Sequence, residues 1–232
     1  MCPRCLDSLA AAQSEYACAA CHIPLLNGAA LNEDGLCLMC STGASRFDGA
    51  YYFGFHEGEL RLLIQLFKYR GMASLAGPLS RLLLRALPES GSYDAVVPVP
   101  LHWRRRFARG YNQSALLAGE LARAMSVPMR EALGRVRATP AQSGLTGAVR
   151  RRNLRGAFAV RRPADVVGMR LLLVDDVLTT GATLNACAKE LKSAGARHIT
   201  AVTLARADRR PFFRSIQEPA TSPHYSYSKG AS

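Results

Sequence analysis

The chain lacks the features that mark a membrane or secreted protein. Its 232 residues contain no apolar run near the roughly 18 residues that a membrane-spanning helix needs. The start, Met1-Cys-Pro-Arg-Cys5, has neither the basic nor the apolar segment of a signal peptide. We therefore expect a cytoplasmic protein without membrane insertion. About half of the residues are apolar (49%), which is enough for one α/β core and a small additional module.

Acidic residues are also scarce, with 17 Asp and Glu against 30 Lys and Arg and a net charge of +13. Between residues 101 and 162, fourteen arginines outnumber two glutamates, which leaves +12 of the excess in this segment. A pyrophosphate group needs only a few of these cations, and the others would form a basic rim that attracts polyanions. A GC-rich genome would equally explain why this segment contains arginine but no lysine. The interleaved aromatic residues, which either stack on bases or pack in the core, are Trp103, Phe107, Tyr111 and Phe158.

Six of the seven cysteines form three Cys-x-x-Cys pairs, a spacing that favours a metal site over a disulfide network. Fifteen residues separate the second and third pairs, which is typical of a zinc ribbon. The predicted ligands of this structural Zn²⁺ are Cys18, Cys21, Cys37 and Cys40. A module of about 40 residues has too little core to fold without such a cross-link. Reduced thiols without metal are the alternative.

One histidine beside these pairs and the seventh cysteine fall outside the Cys-x-x-Cys pattern. His22 is either a replacement metal ligand or an exposed loop residue. Cys187 lies within a helical pattern, where we expect it to pack as a small buried apolar residue.

Residues 171–183, LLLVDDVLTTGAT, place two acids and a glycine loop between a strand and a helix. The apolar run 171–174 predicts a strand buried on both faces, and the pattern over 182–194 predicts a helix. In an open α/β sheet, ligands bind beyond the carboxyl ends of the strands. Asp175 and Asp176 would repel a phosphate, but they suit the two vicinal hydroxyls of a ribose and a hard cation such as Mg²⁺.

The loop after these acids suits a 5′-phosphate. Hydroxyls, a glycine that permits close approach of the backbone, and the free N–H groups at a helix start all favour an anion. The candidate phosphate-binding residues are Thr179, Thr180, Gly181, Ala182 and Thr183. A plain strand end with a capping threonine is the alternative, and it explains only one acid and one threonine.

Apolar spacing elsewhere predicts the rest of an α/β core. Short apolar runs predict strands, and recurrence at three and four residues predicts helices. The predicted strands cover residues 50–55, 94–99, 171–174 and 198–204. The predicted helices cover residues 60–67, 75–86, 113–125 and 182–194.

The 171–183 stretch resembles the signature with which type I phosphoribosyltransferases bind phosphoribosyl pyrophosphate (PRPP). Two further blocks, DAVVPVPLH at 94–102 and RRRFARGYNQ at 104–113, are similar to the VPVPLH and RGFNQ blocks of the ComF family. The segments RVRATPAQ at 135–142 and RRRNLRG at 150–156 are similar to its hood. With the cysteine pattern, the resemblance covers most of the chain.

The resemblance implies an α/β protein with the type I phosphoribosyltransferase fold. A five-stranded parallel sheet core, flanked by helices under a small hood, would follow an N-terminal zinc-ribbon module with four cysteine ligands. The expected boundaries are 1–45 for the cysteine module, 46–210 for the phosphoribosyltransferase-like domain and 211–232 for a disordered tail. Longer ComF proteins carry a double zinc ribbon, so Cys2 and Cys5 indicate either a truncated start or ligands shared among three pairs.

The resemblance also implies residues around the pyrophosphate. The candidate pyrophosphate and rim residues are Pro100, Arg105, Arg106, Arg109 and Lys68. A lid within 139–153 would close over PRPP and exclude water, and its candidate residues are Gln142, Arg151, Arg152 and Asn153. Two structural alternatives stay open. Lys68 is a cation of the kind expected at any helix carboxyl end, and the prolines would simply end a strand, as prolines often do.

We expect PRPP or a related ribose phosphate to bind with Mg²⁺, and its phosphoribosyl group to pass to an acceptor that the residues do not identify. The nearest candidate base is His102, although a lone histidine there is also an ordinary loop residue. The alternative function is handling of single-stranded DNA in competence, DNA uptake or recombination. The ComF resemblance implies that function, with contact to a DNA-uptake helicase or channel.

Overall fold

The computed structural model describes residues 9, 11, 14–25, 27–101, 110–137, 154 and 156–207. The predicted tail and the whole of the predicted lid lie outside this part of the chain. Several predicted site residues lie outside it as well, namely Cys2, Cys5, His102, Arg105, Arg106, Arg109, Gln142, Arg151, Arg152 and Asn153.

The described residues form strands and helices in alternation after a short cysteine-rich segment. The strands are β1 (Tyr16–Ala17), β2 (Pro24–Leu25), β3 (Gly49–Phe55), β4 (Ala95–Pro98), β5 (Leu133–Arg135), β6 (Phe158–Val160), β7 (Arg170–Leu178) and β8 (His198–Arg206). The α-helices are α1 (Leu38–Ser41), α2 (Gly58–Tyr69), α3 (Ala76–Ala86), α4 (Gln113–Met125) and α5 (Ala182–Ser193). Within the described ranges, no helix has the length and apolar character to cross a membrane.

The central sheet is parallel, with four strands in the order β3–β8–β7–β4. On β7, Leu171 and Leu173 pack on one side of the sheet, and Leu172 and Val174 pack on the other. All four side chains are fully buried, because both faces of the sheet are covered. This arrangement explains why the strand has a continuous apolar run instead of alternating residues.

Helices α2, α3 and α4 cover one face of the sheet, and their apolar residues follow the predicted helical spacing. Ile64 and Phe67 of α2 and Leu79 of α3 are fully buried, and each such side chain contributes about 1.5–3 kcal/mol of hydrophobic free energy. Helix α4 begins and ends where predicted, at Gln113 and Met125. Both predicted crossover helices are confirmed, since α5 ends only one residue before its predicted end.

The other face carries α5, the antiparallel hairpin β5–β6 and the cysteine module. The module also bonds to the β3 edge of the sheet, where the Ala50 N–H donates to the Cys21 carbonyl at 2.8 Å. Tyr52 Oη and Arg206 Nη1 both donate to the Pro24 carbonyl, at 3.1 Å and 2.7 Å. The module is therefore packed against the sheet through both apolar and polar contacts.

The sheet differs from the implied five-stranded core. In the described residues, the position beyond β4 holds one parallel bridge between Val96 and Met129 in place of a fifth strand. The Val96 N–H donates to the Pro128 carbonyl at 2.9 Å, and the Arg130 N–H donates to the Val96 carbonyl at 2.8 Å. Pro128 has no N–H to donate, which limits the ladder to this short segment.

The predicted end of β7 was wrong. The strand does not stop at Val174 but continues to Leu178, so that both acids lie within it. Its neighbour β8 likewise runs to Arg206, and the two strands stay paired up to Leu178 and Arg206. Pairing with a central strand thus overrides the low intrinsic strand preference of aspartate.

Candidate functional site

The two acids lie at the carboxyl end of β7, in the interior of the sheet. The Ser114 hydroxyl donates to Asp175 Oδ1 at 3.0 Å, and the Asp176 N–H donates to the same oxygen at 2.9 Å. Removal from water, followed by the charge of Asp176, raises the pKa of Asp175 to about 7. Near neutral pH, this carboxyl group can therefore either carry a proton or accept one.

Lys68, in the last turn of α2, forms an ion pair with the second acid. Its Nζ lies 2.7 Å from Asp176 Oδ1, and the two side chains are only 16% and 14% exposed. Limited exposure to water makes such a pair stronger than an ordinary surface ion pair. Lys68, predicted as a rim cation, therefore lies directly at the acids, where the negative charge of a ligand can compete with Asp176 for its ammonium group.

His56 is a residue of this site that sequence reasoning missed. It follows β3 directly, and its N–H donates to the Arg206 carbonyl at 2.9 Å. Burial, followed by the charges of Lys68 and Arg61, lowers the pKa of His56, whereas Asp176 acts in the opposite direction. The imidazole is therefore held neutral near the acids. Its position at the end of a predicted parallel strand is the signal that could have identified it.

The segment before α4 positions the acids. Tyr111 Oη donates to the Phe67 carbonyl beside Lys68, and the two rings are 5.7 Å apart. Asn112 Nδ2 donates to the Val99 carbonyl at 3.1 Å, and its Oδ1 accepts from the Ser114 N–H at 3.2 Å. Tyr111 thus packs in the core and fixes the end of α2, while Asn112 caps α4 and aligns Ser114.

The predicted phosphate loop connects β7 to α5. Gly181 has a φ of 70°, a left-handed conformation that favours glycine, and it immediately precedes the helix. The Asn185 N–H donates to the Gly181 carbonyl at 2.8 Å, which begins the helical hydrogen bonds. The Ala182 N–H reaches Thr180 Oγ1 at 3.5 Å. Thr179 is exposed and Thr183 is half-buried. The backbone donors at this helix start suit an anion.

A small cleft lies beyond β4, where the pyrophosphate turn was predicted. It encloses about 160 Å³. Its lining residues are Pro98, Pro100, Leu101, Asn112, Glu131, Leu133, Arg135 and Arg161. Arg135 also stacks on the buried Phe158 ring, 5.4 Å from its centroid, and Arg161 Nη1 lies 3.9 Å from Glu131 Oε2. These hairpin arginines are the described cations of the cleft, and composition alone did not distinguish them from the other arginines.

The four predicted zinc ligands come together in the cysteine module. The sulfur atoms of Cys18, Cys21, Cys37 and Cys40 all lie within 4.8 Å of one another. The Sγ atoms of Cys21 and Cys37 are 3.9 Å apart, close to the roughly 3.8 Å that tetrahedral Zn–S bonds of about 2.3 Å require. His22 is exposed and does not join the cluster, and Cys187 is buried in the core as predicted.

The protonation of these thiols also suits a divalent cation. A hydrogen bond from Cys21 lowers the pKa of Cys37 to about 4, while burial chiefly raises the pKa of Cys40 to about 11. The hydrogen bond to Cys37, followed by burial, raises the pKa of Cys21 as well. The first thiolate forms easily, but further ionisation in this crowded space needs a compensating positive charge. The cluster is therefore compatible with a zinc site.

Comparison with known proteins agrees with this architecture. The family model for the phosphoribosyl transferase domain matches residues 112–217. Among solved structures, the glutamine PRPP amidotransferase of B. subtilis is 20% identical, with a TM-score of 0.43, and the match covers 60% of this chain and 30% of that one. A likeness at this level carries no argument about function.

Relatives at higher identity share most of the chain. Competence protein F of Haemophilus influenzae is 35% identical over 179 residues, which is 74% of this chain and 78% of that protein. The DNA utilization protein YhgH of Escherichia coli O157:H7 is 40% identical over 154 residues, 63% of this chain and 67% of the relative. The parallel sheet with flanking helices is that of the type I phosphoribosyltransferases, and the chain belongs to the ComF family.

Proposed function

We propose that this chain binds PRPP, or a related ribose phosphate, together with Mg²⁺ at the carboxyl end of β7. Asp175 and Asp176 accept hydrogen bonds from the ribose hydroxyls, and the loop 179–183 holds the 5′-phosphate. The observation that carries the proposal is that the two acids lie near the carboxyl end of an interior strand of a parallel sheet, and a left-handed glycine and a helix start follow a few residues later.

The cations of the site have complementary roles in this proposal. The carboxylates of Asp175 and Asp176 are hard oxygen groups that would help to hold Mg²⁺, which would supply positive charge to the pyrophosphate. Lys68 forms an ion pair with Asp176 and attracts the phosphates when a ligand enters. Pro100, Arg105, Arg106 and Arg109 remain the predicted pyrophosphate and rim residues, and the predicted lid would exclude water.

The reaction that fits this site is phosphoribosyl transfer. The acceptor forms a bond to ribose C1 as the bond from C1 to the pyrophosphate oxygen breaks, and the pyrophosphate leaves with the electron pair. Charge placement lowers the barrier, because the ribose becomes oxocarbenium-like. The departing pyrophosphate is itself a base and can take the proton that the acceptor loses.

Calorimetric titration with PRPP and Mg²⁺ tests the binding proposal. The native chain should bind, and the double variant Asp175→Asn/Asp176→Asn should lose most of the affinity because amides replace both charged acceptors. The single variant Asp165→Asn, which changes a surface carboxyl group 3.7 Å from Arg130, is the matched control and should retain PRPP binding. Absence of binding heat with the native chain would refute the proposal.

A second function is supported by the names of the relatives and by the charge distribution. Competence protein F and DNA utilization protein YhgH are named for DNA-related processes, and fourteen arginines fall between residues 101 and 162. We propose that this arginine-rich segment also handles single-stranded DNA. Affinity should then fall steeply with salt, and the triple variant Arg150→Ala/Arg151→Ala/Arg152→Ala should weaken it. An affinity that responds to neither change contradicts this function.

A further inference from the structure

The cysteine module touches the phosphate loop at its tightest point. Met39 lies between Cys37 and Cys40 in the chain, and its side chain reaches Gly181. A methyl group added to Gly181 would lie 3.0 Å from Met39 Sδ and 3.3 Å from Met39 Cε. The thioether therefore packs directly against the left-handed turn that begins α5.

A second contact ties the end of the module to the same turn. Asn185 Nδ2 donates to the Ala44 carbonyl at 2.6 Å, and Asn185 Oδ1 accepts from the Arg46 N–H at 2.8 Å. The backbone N–H of Asn185 donates to the Gly181 carbonyl. One residue in the first turn of α5 thus bonds both to the module and to the loop.

The cysteine site determines where Met39 lies. The Cys37 carbonyl accepts from the Cys40 N–H at 2.9 Å. The turn that carries Met39 is therefore closed by two of the four clustered cysteines. The Met39 carbonyl in turn accepts from the Ala44 N–H at 2.8 Å, which links this turn to the segment that Asn185 holds. Disturbing the four sulfur atoms therefore displaces both contacts together.

These contacts lie beside open space. A cleft of about 860 Å³ lies between the module and α5, with Met39 and Arg46 on one side and Thr180 and Asn185 on the other. Leu178 and Ala182 are buried in the apolar cluster against which Met39 packs. The cleft leaves the other side of the loop open, so the contacts of Met39 and Asn185 help to fix its conformation. The module therefore contacts the loop 179–183 as well as the sheet.

We propose that the cysteine module fixes the conformation of the loop 179–183 through Met39 and Asn185, which act as positioning residues. Loop N–H groups bind a phosphate well only if they are already oriented before it arrives. Loss of the intact cysteine site therefore weakens binding of the 5′-phosphate without removing any residue that contacts it. This consequence for binding rests on the proposed ribose-phosphate function, whereas the conformational link does not.

Hydrogen–deuterium exchange of the full chain tests the link. Amides of residues 179–186 should exchange faster in Met39→Ala and in Asn185→Ala than in the native chain, while the zinc content stays the same. Met39→Leu, which keeps the apolar volume, should restore slow exchange. Leu38→Ala is the matched control, because Leu38 neighbours Met39 on α1 but is 76% exposed.

Titration with ribose 5-phosphate gives the second readout. Met39→Ala should weaken binding about fivefold or more, the usual size of coupling between distinct sites, whereas Leu38→Ala should leave it unchanged. Unaltered exchange of the loop in both Met39→Ala and Asn185→Ala would overturn the inference. If exchange accelerates but the native chain binds no ribose 5-phosphate, the link stands and the proposed ribose-phosphate function fails.

Discussion

The two faces of the sheet are stabilised by different means. One face is covered by α2, α3 and α4, helices of 12, 11 and 13 residues whose apolar stripes are long enough to form a core. The other face is covered partly by the cysteine module, whose strands have two residues each and whose helix has four. Burial alone accounts for the long helices of the first face. The second face also buries an apolar cluster, but the short elements of its module bring together four sulfur atoms, an arrangement compatible with a zinc cross-link.

The candidate site draws on both faces. Lys68 of α2 and Ser114 of α4 hold the acids from the helical face. Met39 of the module contacts the loop from the other face. The proposed ribose-binding end of the site is therefore supported by the helical core, and the proposed phosphate-binding end is supported by the cysteine module. Perturbing one face at a time can separate these contributions.

The largest effect should come from removing a cysteine ligand. The native chain should contain about one zinc ion, and Cys37→Ser should contain almost none, because a structural site contributes about 10–16 kcal/mol of apparent binding free energy. Metal analysis measures the zinc, and circular dichroism should show that most helix is retained, since α2 to α4 lie on the other face. Cys187→Ala is the control and should keep its zinc. Full zinc content in Cys37→Ser contradicts the assignment.

A large cavity on the helical face should have the next effect. Phe67 is fully buried, so Phe67→Ala should lower the free energy of unfolding by about 3–5 kcal/mol. Urea denaturation measures this change, and zinc content should not alter. Leu62→Ala on the same helix is the control, since Leu62 is 56% exposed and should shift the free energy by at most about 0.5 kcal/mol. Equal effects of the two changes would contradict the role of burial.

A smaller effect should appear in the pH dependence at the ribose end. The pKa of Asp175 is raised to about 7 in the folded state, so folding favours its protonated form. That contribution is fully present below the unfolded pKa near 4 and is lost as pH rises through about 7, an expected decline of a few kcal/mol at about 1.4 kcal/mol for each pH unit. Asp175→Asn should flatten this part of the curve.

Denaturation at a series of pH values between about 4 and 8, the window set by the unfolded and folded pKa values of Asp175, measures the decline. Asp165→Asn is the control, because Asp165 lies at the surface, 3.7 Å from Arg130, and the decline should persist. A curve for Asp175→Asn as steep as that of the native chain would show that another group titrates.

Sequence reasoning succeeded where the information is local. The bounds of α4 follow from apolar spacing and from a capping asparagine, both visible within a few positions. The four clustered cysteines follow from their spacing, and membership of the ComF family follows from contiguous motifs. Each of these features is specified by residues close together in the chain, so no knowledge of tertiary contacts was needed.

It failed where distant segments decide the outcome. The hydrogen bond between Ser114 and Asp175 joins positions 61 residues apart, and the one between Asn185 and Ala44 joins positions 141 residues apart. Pairing with β8 extended β7 beyond its apolar run, which no local preference of aspartate indicates. His56 was missed because its role depends on which strands are neighbours.

The single bridge at Met129 has a consequence for behaviour at high concentration. An open parallel sheet has two edges at which another chain could add a strand and begin to aggregate. Here the segment 128–130 already lies along β4, with the Val96 N–H bonded to the Pro128 carbonyl and the Arg130 N–H bonded to the Val96 carbonyl. At the opposite edge, the Ala50 N–H is already bonded to Cys21. Both borders are thus occupied, which disfavours edge-to-edge association of this protein with its own copies.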